Sequence, residues 1–214
     1  MKTLLCAPPW VPSPLRGSGE GDPGGKTGRC LSDLGMGKRP MKKNLFVTGL
    51  PGAGKTTLIR RVLERLPPGA AVSGFFTAEI REAGGRVGFT ANALDGRTAP
   101  LAHVRIGGGA RVGRYGVDVA GFEGLVLPLL EPGRAGLYVI DEIGKMECRS
   151  AAFCRTVAAL LDSEAPVLGT VALRGGGFIA EVKARDDVAL FELTVRTRDR
   201  LCDEIARLLP ERLR

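Results

Sequence analysis

Short, continuous apolar runs alternate along this chain with segments in which apolar residues recur every three or four positions. The runs cover residues 44–48, 137–140 and 167–170. Runs of this length without a polar face are typical of buried parallel strands. Helical spacing predicts helices over 58–66, 151–161, 177–184 and 198–209. The alternation predicts an α/β protein with a mostly parallel sheet and helices on both faces.

The middle of the chain has a different pattern, which indicates a β-hairpin. Residues 74–81 and 86–92 are rich in β-formers and flank the turn Gly84-Gly85. We expect a further strand over 102–106 and a helix over 122–130, and near the end of the chain a strand over 189–195. Several elements therefore separate the first apolar run from the run at 137–140. This spacing predicts an extra strand between those two runs in the sheet.

The first forty residues contain eight Gly and six Pro and show no periodicity. Such a composition cannot bury enough apolar surface to offset ordering entropy, so we expect a disordered tail over 1–40 and one folded domain over 41–214. Because Met36 and Met41 precede the first patterned segment, we interpret the tail as a translation-start extension or a dispensable leader. No stretch approaches the roughly 18 apolar residues of a membrane helix, and we expect no membrane partner.

Composition narrows the classes of partner. The net charge is +8, but residues 1–43 hold eight basic and three acidic residues, which leaves +3 for the remainder. The excess belongs to the tail and no nucleic-acid-binding motif accompanies it, so binding to nucleic acid is disfavoured. The five cysteines form no C-x-x-C pair and His103 is the single histidine, which argues against a zinc site. Reduced thiols favour a cytoplasmic location.

The strongest motif follows the first apolar run. A G-x-x-x-x-G-K-T sequence lies between that predicted strand and an amphipathic helix, the order that a phosphate-binding P-loop (Walker A) requires. Glycines let successive amides converge on phosphate oxygens, Lys55 is expected to reach the β- and γ-phosphates, and Thr56 is expected to ligate Mg²⁺. The residues predicted to contact the nucleotide here are Gly49, Leu50, Pro51, Gly52, Ala53, Gly54, Lys55 and Thr56.

A second motif completes the predicted site. The run at 137–140 ends in Asp141 and Glu142, as expected of a buried strand that carries carboxylates to the ligand-binding edge of an α/β sheet. We assign Asp141 to Mg²⁺, as in a Walker B motif, and Glu142 to the attacking water. Neighbouring side chains alternate along a strand, so the two carboxylates should point differently. Lys55 and Glu142 are the predicted catalytic residues, and Thr56 and Asp141 the predicted metal ligands.

Two further sets of residues are weaker candidates. Thr170 ends the apolar run at 167–170, where it either senses the γ-phosphate or the water, or simply completes a strand. Basic side chains able to stabilise charge in the transition state are Lys145, Arg174, Lys183 and Arg185, which the sequence does not rank.

Taken together, these segments resemble a known family. The motifs are the P-loop Gly-Leu-Pro-Gly-Ala-Gly-Lys-Thr-Thr, the hairpin with Gly74-Phe75-Phe76-Thr77, the segment 111–115, the run Asp-Glu-Ile-Gly-Lys-Met-Glu at 141–147 and Leu168-Gly169-Thr170. They are similar to the small nucleoside-triphosphatases known from thermophiles and from a human cancer-related enzyme. The resemblance spans about residues 41–209.

The resemblance implies a three-layer, RecA-like (ASCE) P-loop NTPase fold with an inserted β-hairpin. It also implies a Mg²⁺-dependent phosphatase that acts on ATP, GTP, CTP and UTP, with weaker use of diphosphates. Nucleotide contacts are implied at 49–56 and around 137–144, which adds Ile143 and Gly144 to Asp141 and Glu142 in the second segment.

Two other functions remain open on the residues alone. A P-loop kinase for a nucleoside or small metabolite would use the same phosphate loop, with basic charge from residues 174–185, but no acceptor-binding acid stands out. A nucleotide-dependent switch would hydrolyse slowly and change its affinity for a partner. We expect hydrolysis by a monomer.

Overall fold

A computed structural model of the chain describes residues 42–209; the predicted tail at 1–40 lies outside them. The described residues form one sheet of nine strands with the order β5-β6-β4-β3-β2-β7-β8-β1-β9. The strands are β1 (Asn44–Thr48), β2 (Val72–Glu82), β3 (Gly85–Ala93), β4 (Thr98–His103), β5 (Arg111–Val112), β6 (Tyr115–Val117), β7 (Leu137–Ile143), β8 (Val167–Val171) and β9 (Val188–Glu192).

Five α-helices cover the two faces of the sheet within the same residues. They are α1 (Lys55–Leu63), α2 (Val119–Val126), α3 (Ala151–Asp162), α4 (Phe178–Ala184) and α5 (Arg198–Leu208). Helices α1 and α5 pack on one face, against residues such as Leu45 and Val139. Helices α2, α3 and α4 pack on the other, around Phe75 and Phe153. The predicted three-layer arrangement is confirmed, and none of the described helices is long and apolar enough to cross a bilayer.

The parallel part of the sheet consists of β2, β7, β8, β1 and β9. Strand β8 lies between β7 and β1, which confirms the predicted extra strand. The predicted hairpin also forms, but it is continuous with the main sheet, because β2 pairs in parallel with β7 and antiparallel with β3. Strand β2 reaches the level of Asp141 at Phe76 and continues to Glu82. We call residues 77–90, with β5, β6 and the end of β4, the ribbon.

Several predicted bounds were wrong. Helix α1 begins at Lys55, directly after Gly54 as expected of a P-loop, but it ends at Leu63 instead of Leu66. Pro67-Pro68 follows, and the last turns tighten to bonds such as Leu66 N–H to Leu63 O. Strand β4 starts earlier than predicted, at Thr98, because the turn in which Arg97 N–H binds the Asp95 carboxylate sets its register on β3. Strand β9 ends at Glu192.

The remaining corrections concern short elements. The helix predicted over 122–130 is α2 followed by a 3₁₀ turn over Leu127–Leu130, in which Pro128 is accommodated near the start of the turn. Strands β5 and β6 were not predicted, since two or three residues are too few to show a period of two.

Candidate active site

Three strand ends meet at the carboxyl edge of the parallel sheet. Strand β1 ends at Thr48, β7 carries Asp141 and Glu142, and β8 carries Thr170. The Thr56 hydroxyl donates a hydrogen bond of 2.6 Å to Asp141 Oδ2. This bond joins the loop at 49–56 to the acidic end of β7, which are 85 residues apart in sequence. The structure therefore brings together the two motifs that the sequence analysis combined.

The loop between β1 and α1 contains three glycines with positive φ, Gly49, Gly52 and Gly54. Gly54 precedes the first residue of α1 with a φ of 95°, a left-handed conformation that glycine adopts without strain. Gly49 lies against the segment after β9: a Cβ atom at this position would be 2.6 Å from the Leu193 carbonyl oxygen. Because α1 begins directly after Gly54, its free amide groups and the positive end of its dipole face the loop.

Lys55 lies between the loop and the carboxylate of Glu142. Its Nζ donates to Gly49 O at 3.1 Å and to Leu50 O at 3.4 Å, and it is 3.5 Å from Glu142 Oε2. Glu142 is about one-third exposed, whereas Lys55 is largely buried. Burial raises the pKa of Glu142, and the charge of Lys55 opposes that rise.

Asp141 is almost completely buried, with 2% of its surface exposed. Thr56 donates to one carboxylate oxygen and Thr170 to the other. Burial raises the pKa of Asp141, while these two hydroxyl groups and Lys55 oppose the rise. Asp141 and Glu142 have different partners, as expected, although β7 is irregular here, since its pairing with β8 shifts between Ile140 and Ile143. Thr170 is itself fully buried, and its hydroxyl orients Asp141 by donating to the carboxylate.

Glu147, the last residue of the 141–147 run, is a buried carboxylate for which the sequence predicts no role. A Cβ atom at Gly144 would be 2.8 Å from Glu147 Oε2 and 3.1 Å from Glu142 Oε1, so the two carboxylates flank this glycine. Burial, together with the charges of Glu142 and Asp141, raises the pKa of Glu147 to about 8. In the sequence, Glu147 is distinguished only by its position six residues after Asp141, and no hydrophobic periodicity indicates that its side chain is buried.

The other predicted nucleotide contacts are distributed over the two segments. Leu50, Pro51 and Gly52 form the outer part of the loop, and Ala53 is half-buried. The Ile143 side chain is completely buried in the core, so only its backbone remains for a nucleotide contact.

The four basic candidate residues lie in different parts of the structure. Lys183 donates to Leu173 O at 2.8 Å, and its charge opposes the rise in the pKa of Glu142 that burial causes, so its charge acts on the site. Arg185 pairs with Asp162 and Asp187. Since Asp187 also binds Asn44 at the start of β1, Arg185 lies at the opposite edge of the sheet. Lys145 and Arg174 do not contact the two carboxylates of β7 through any ion pair within the described residues.

The donor atoms at this edge are those that a hard cation prefers. Thr56 and Asp141 supply a hydroxyl and a carboxylate oxygen in direct contact with each other. Within residues 42–209, no group of three or more His, Cys, Asp or Glu could hold a metal ion by protein ligands alone. An ion here would therefore need water or phosphate oxygens to complete its coordination, as Mg²⁺ typically does.

The fold and this edge define a class. A strand, a G-x-x-x-x-G-K-T loop and a helix, joined by hydrogen bond to an acidic strand end across one intervening strand, constitute a P-loop NTPase domain. A family model described as NTPase matches residues 44–206. The chain belongs to this NTPase family.

Similar proteins come from bacteria and animals. "Nucleoside-triphosphatase THEP1" of Thermotoga sp. is 40% identical over 167 residues, covering 77% of this chain and 94% of that protein. The human "Cancer-related nucleoside-triphosphatase" is 38% identical, and the match covers 77% of this chain and 95% of the human protein. The crystal structure of THEP1 from Aquifex aeolicus superposes with a TM-score of 0.70 at 34% identity, covering 78% of this chain and 98% of that one.

Proposed function

We propose that this protein is a Mg²⁺-dependent nucleoside-triphosphate phosphatase that converts ATP, GTP, CTP and UTP to the diphosphate and inorganic phosphate, with weaker use of diphosphates. The observation that carries the proposal is the joining of the two motifs: Thr56 binds Asp141 while Lys55 lies 3.5 Å from Glu142. One terminal phosphoryl group would then face a cation, an ammonium group and a carboxylate. The relatives described above are named nucleoside-triphosphatases, which supports the same activity.

Thr56 and Asp141 are the residues we propose to hold Mg²⁺. Both are oxygen donors, and Thr170 fixes the orientation of the Asp141 carboxylate by donating to its second oxygen. When bound, Mg²⁺ would neutralise charge on the β- and γ-phosphate oxygens. Burial raises the pKa of Asp141, which means that the ionised carboxylate is unfavourable in this environment. A cation bound beside Asp141 would stabilise the ionised form.

Glu142 is suited to direct the water. Its carboxylate is partly exposed beside Lys55, whereas each oxygen of the Asp141 carboxylate already accepts a hydrogen bond from a threonine hydroxyl. Glu142 would orient a water molecule on the far side of the γ-phosphorus from the bridging oxygen and accept its proton. The water oxygen would bond to the γ-phosphorus as the bond from the γ-phosphorus to the β,γ-bridging oxygen breaks. Inorganic phosphate and the diphosphate would then be the two products, with the charge on the diphosphate stabilised by Lys55 and the loop amides.

The test is phosphate release from ATP, GTP, CTP and UTP, and from the diphosphates, each with and without Mg²⁺ and with no acceptor added. We expect release from all four triphosphates that requires Mg²⁺. A kinase would release little phosphate without an acceptor. A nucleotide-dependent switch would release phosphate too slowly for a metabolic enzyme. Absence of Mg²⁺-dependent release from every triphosphate would contradict the proposal.

A further inference from the structure

Glu147 lies just beyond the end of β7, on a turn that brings its side chain back toward the active site. Strand β7 ends one residue before Gly144, and a 3₁₀ turn covers Glu147–Arg149. Cys148 N–H donates to Gly144 O at 3.0 Å, and Ser150 N–H donates to Glu147 O at the same distance. The position of Glu147 relative to β7 is therefore set by backbone hydrogen bonds, and only 5% of the residue is exposed.

Gly144 allows the carboxyl groups of Glu142 and Glu147 to approach each other. Gly144 is buried, and a Cβ atom there would be 2.8 Å from Glu147 Oε2 and 3.1 Å from Glu142 Oε1. Both oxygen atoms thus border the space that a side chain would fill. Their separation is smaller than the sum of these two distances, so one hydrogen bond, or one bridging water molecule, is enough to connect the carboxyl groups.

The two carboxyl groups differ in their access to positive charge. Glu142 Oε2 is 3.5 Å from Lys55 Nζ, and the charge of Lys183 also acts on Glu142. Glu147 forms no ion pair in the part of the chain that the structure describes. Two carboxylates this close and shielded from water do not both ionise readily, so a proton is held by the one without a cation. That residue is Glu147, and burial, together with the charges of Glu142 and Asp141, raises its pKa to about 8.

The other ionisable groups around the turn are exposed, uncharged or bound elsewhere. The turn contacts β7, α2 and α3. Glu123 on α2 accepts a hydrogen bond from Ser150 Oγ at 2.5 Å, and exposed Arg149 donates to Arg111 O at 2.7 Å. The remaining groups are exposed Lys145 and Arg155, Asp118 bound to Gly121 N–H, Asp162 paired with Arg185, and the thiols of Cys148 and Cys154, whose pKa values burial raises. The charges that raise the pKa of Glu147 are those of the two carboxylates on β7.

We propose that Glu147 is a positioning residue for Glu142: its protonated carboxyl group donates a hydrogen bond to Glu142 Oε1, directly or through one water molecule, while Lys55 attracts Oε2. The proposal rests on the proposed function, because it takes Glu142 to direct the attacking water. It gives a role to a buried carboxyl group that neither phosphate-binding motif contains, and it predicts an upper pH limit of turnover.

This arrangement fixes the plane of the Glu142 carboxylate. A carboxylate held at both oxygens does not rotate freely, so the water that it orients approaches the γ-phosphorus from one direction. When Glu147 loses its proton, the hydrogen bond is lost and two negative charges repel each other across Gly144. Turnover should therefore fall as pH rises through the pKa of Glu147, at about 8, while nucleotide binding by the loop changes little.

Glu147→Gln and Glu147→Leu in the full-length chain test this role, with kcat and KM for ATP at pH 7 as the readouts. The glutamine amide can still donate to Glu142 Oε1, so kcat should stay within about threefold of the wild type. Leucine has no donor, so kcat should fall about ten- to a hundredfold with KM nearly unchanged, the range expected for losing a hydrogen bond to a charged group. Equal losses in the two variants, or no loss with leucine, would overturn the proposal.

The pH profile of kcat is a second measurement, which holds even if Glu147→Leu does not fold. The wild type should lose turnover above about pH 8, whereas Glu147→Gln, which has no proton to lose at this position, should not. Glu123→Gln is the matched control, because Glu123 is a half-buried carboxylate that supports the same turn through Ser150, and its profile should follow that of the wild type. The same alkaline loss in Glu147→Gln and the wild type would refute the positioning role.

Infrared spectroscopy separates this proposal from the proposed function, because it requires no turnover. At pH 7 the wild type should show the C=O band of a protonated carboxyl group that Glu147→Gln lacks, and the band should disappear as pH rises through about 8. If the wild type is active but shows no such band, the role of Glu147 alone is contradicted. A wild type without phosphate release would contradict the proposed function.

Discussion

Carboxylate side chains have opposite environments at the carboxyl edge of the parallel sheet and in the ribbon. At the edge, Asp141 and Glu147 are almost completely buried, with exposures of 2% and 5%, and burial raises both pKa values. In the ribbon, Glu79 is 38% exposed and pairs with Arg81 and Arg86, which lower its pKa. At the edge, burial disfavours the ionised form of the carboxylates. In the ribbon, arginine partners stabilise the ionised form of the carboxylate.

This difference indicates where chemistry is possible. A carboxylate with two arginine partners has little affinity left for a cation or a proton. A buried carboxylate with hydroxyl partners gains from either. The contrast predicts that substitutions at the edge change turnover or the pH dependence of stability near neutral pH, and that equivalent substitutions in the ribbon change neither.

The largest effect is expected for Glu142→Gln. The amide keeps the shape of the carboxylate but cannot accept a proton, so turnover should fall by about 10²- to 10⁴-fold while triphosphate binding persists. Lys55→Ala serves as the contrasting variant, since it removes the ammonium group from the loop and should weaken binding itself. Calorimetry of nucleotide binding, with phosphate release, separates the two. Full turnover in Glu142→Gln would remove Glu142 from its role.

The next effect concerns the pH dependence of stability and Glu147. Its pKa is about 8 in the folded protein and ordinarily 4.5. Between these values the unfolded chain has lost the proton and the folded chain has kept it, so the free energy of unfolding falls as pH rises, by about 1.4 kcal/mol per pH unit from this group. Glu147→Gln should remove that slope, so its stability should increasingly exceed the wild-type value from pH 5 to pH 8.

Denaturant unfolding at several pH values measures this slope. Glu192→Gln, an exposed change on β9, is the control and should follow the wild-type curve. Parallel curves for Glu147→Gln and the wild type would show that Glu147 is already ionised in the folded protein.

Thr170→Val is expected to have an intermediate effect. The change keeps the shape of a fully buried side chain but removes the hydrogen bond to Asp141, which should cost about 1–3 kcal/mol of unfolding free energy and raise the Mg²⁺ concentration needed for turnover. Thr90→Val is the matched change in the ribbon, where the hydroxyl accepts from half-buried Asn92. It should cost less and leave the Mg²⁺ requirement unchanged. If Thr170→Val and Thr90→Val changed the stability and the Mg²⁺ requirement equally, the proposed difference between the edge and the ribbon would be contradicted.

The same two regions explain how far the sequence could predict the structure. The ends of β1 and β7 were predictable, because a buried strand is a continuous apolar run and its last residues must lie at the sheet edge. The P-loop was predictable because its function requires specific residues at fixed spacing. Thr56, Lys55, Asp141 and Glu142 are accordingly where the motifs indicated.

The ribbon and the supporting residues were less accessible to prediction. The register of β4 depends on the Asp95–Arg97 turn, and β5 and β6 are too short for a pattern. The role of Thr170 depends on which side of β8 faces Asp141, and the burial of Glu147 depends on packing between elements. Residues 193–198 carry no motif, so their contact with Gly49 is visible only once the strands are ordered.

The smallest effect is expected for Glu79→Gln in the ribbon. Glu79 accepts from Arg81 at 2.7 Å and from Arg86 at 2.8 Å, but all three side chains are exposed, so the loss should be at most about 1 kcal/mol and smaller still in high salt. Because Arg86 and Arg81 lower the pKa of Glu79 from its ordinary 4.5, this contribution is fully present above pH 4.5 and is lost as pH falls through the lowered pKa.

Asp95→Asn is the matched control for Glu79→Gln, since it breaks an exposed pair with Arg97 at the opposite end of β3. Thermal unfolding and phosphate release should be nearly the same in the two variants. The ribbon, however, extends past the level of Asp141, on the side where the phosphates would bind. If Glu79→Gln alone reduced turnover, its freed arginines would be acting on the substrate, and the ribbon would then have to be counted as a wall of the active site.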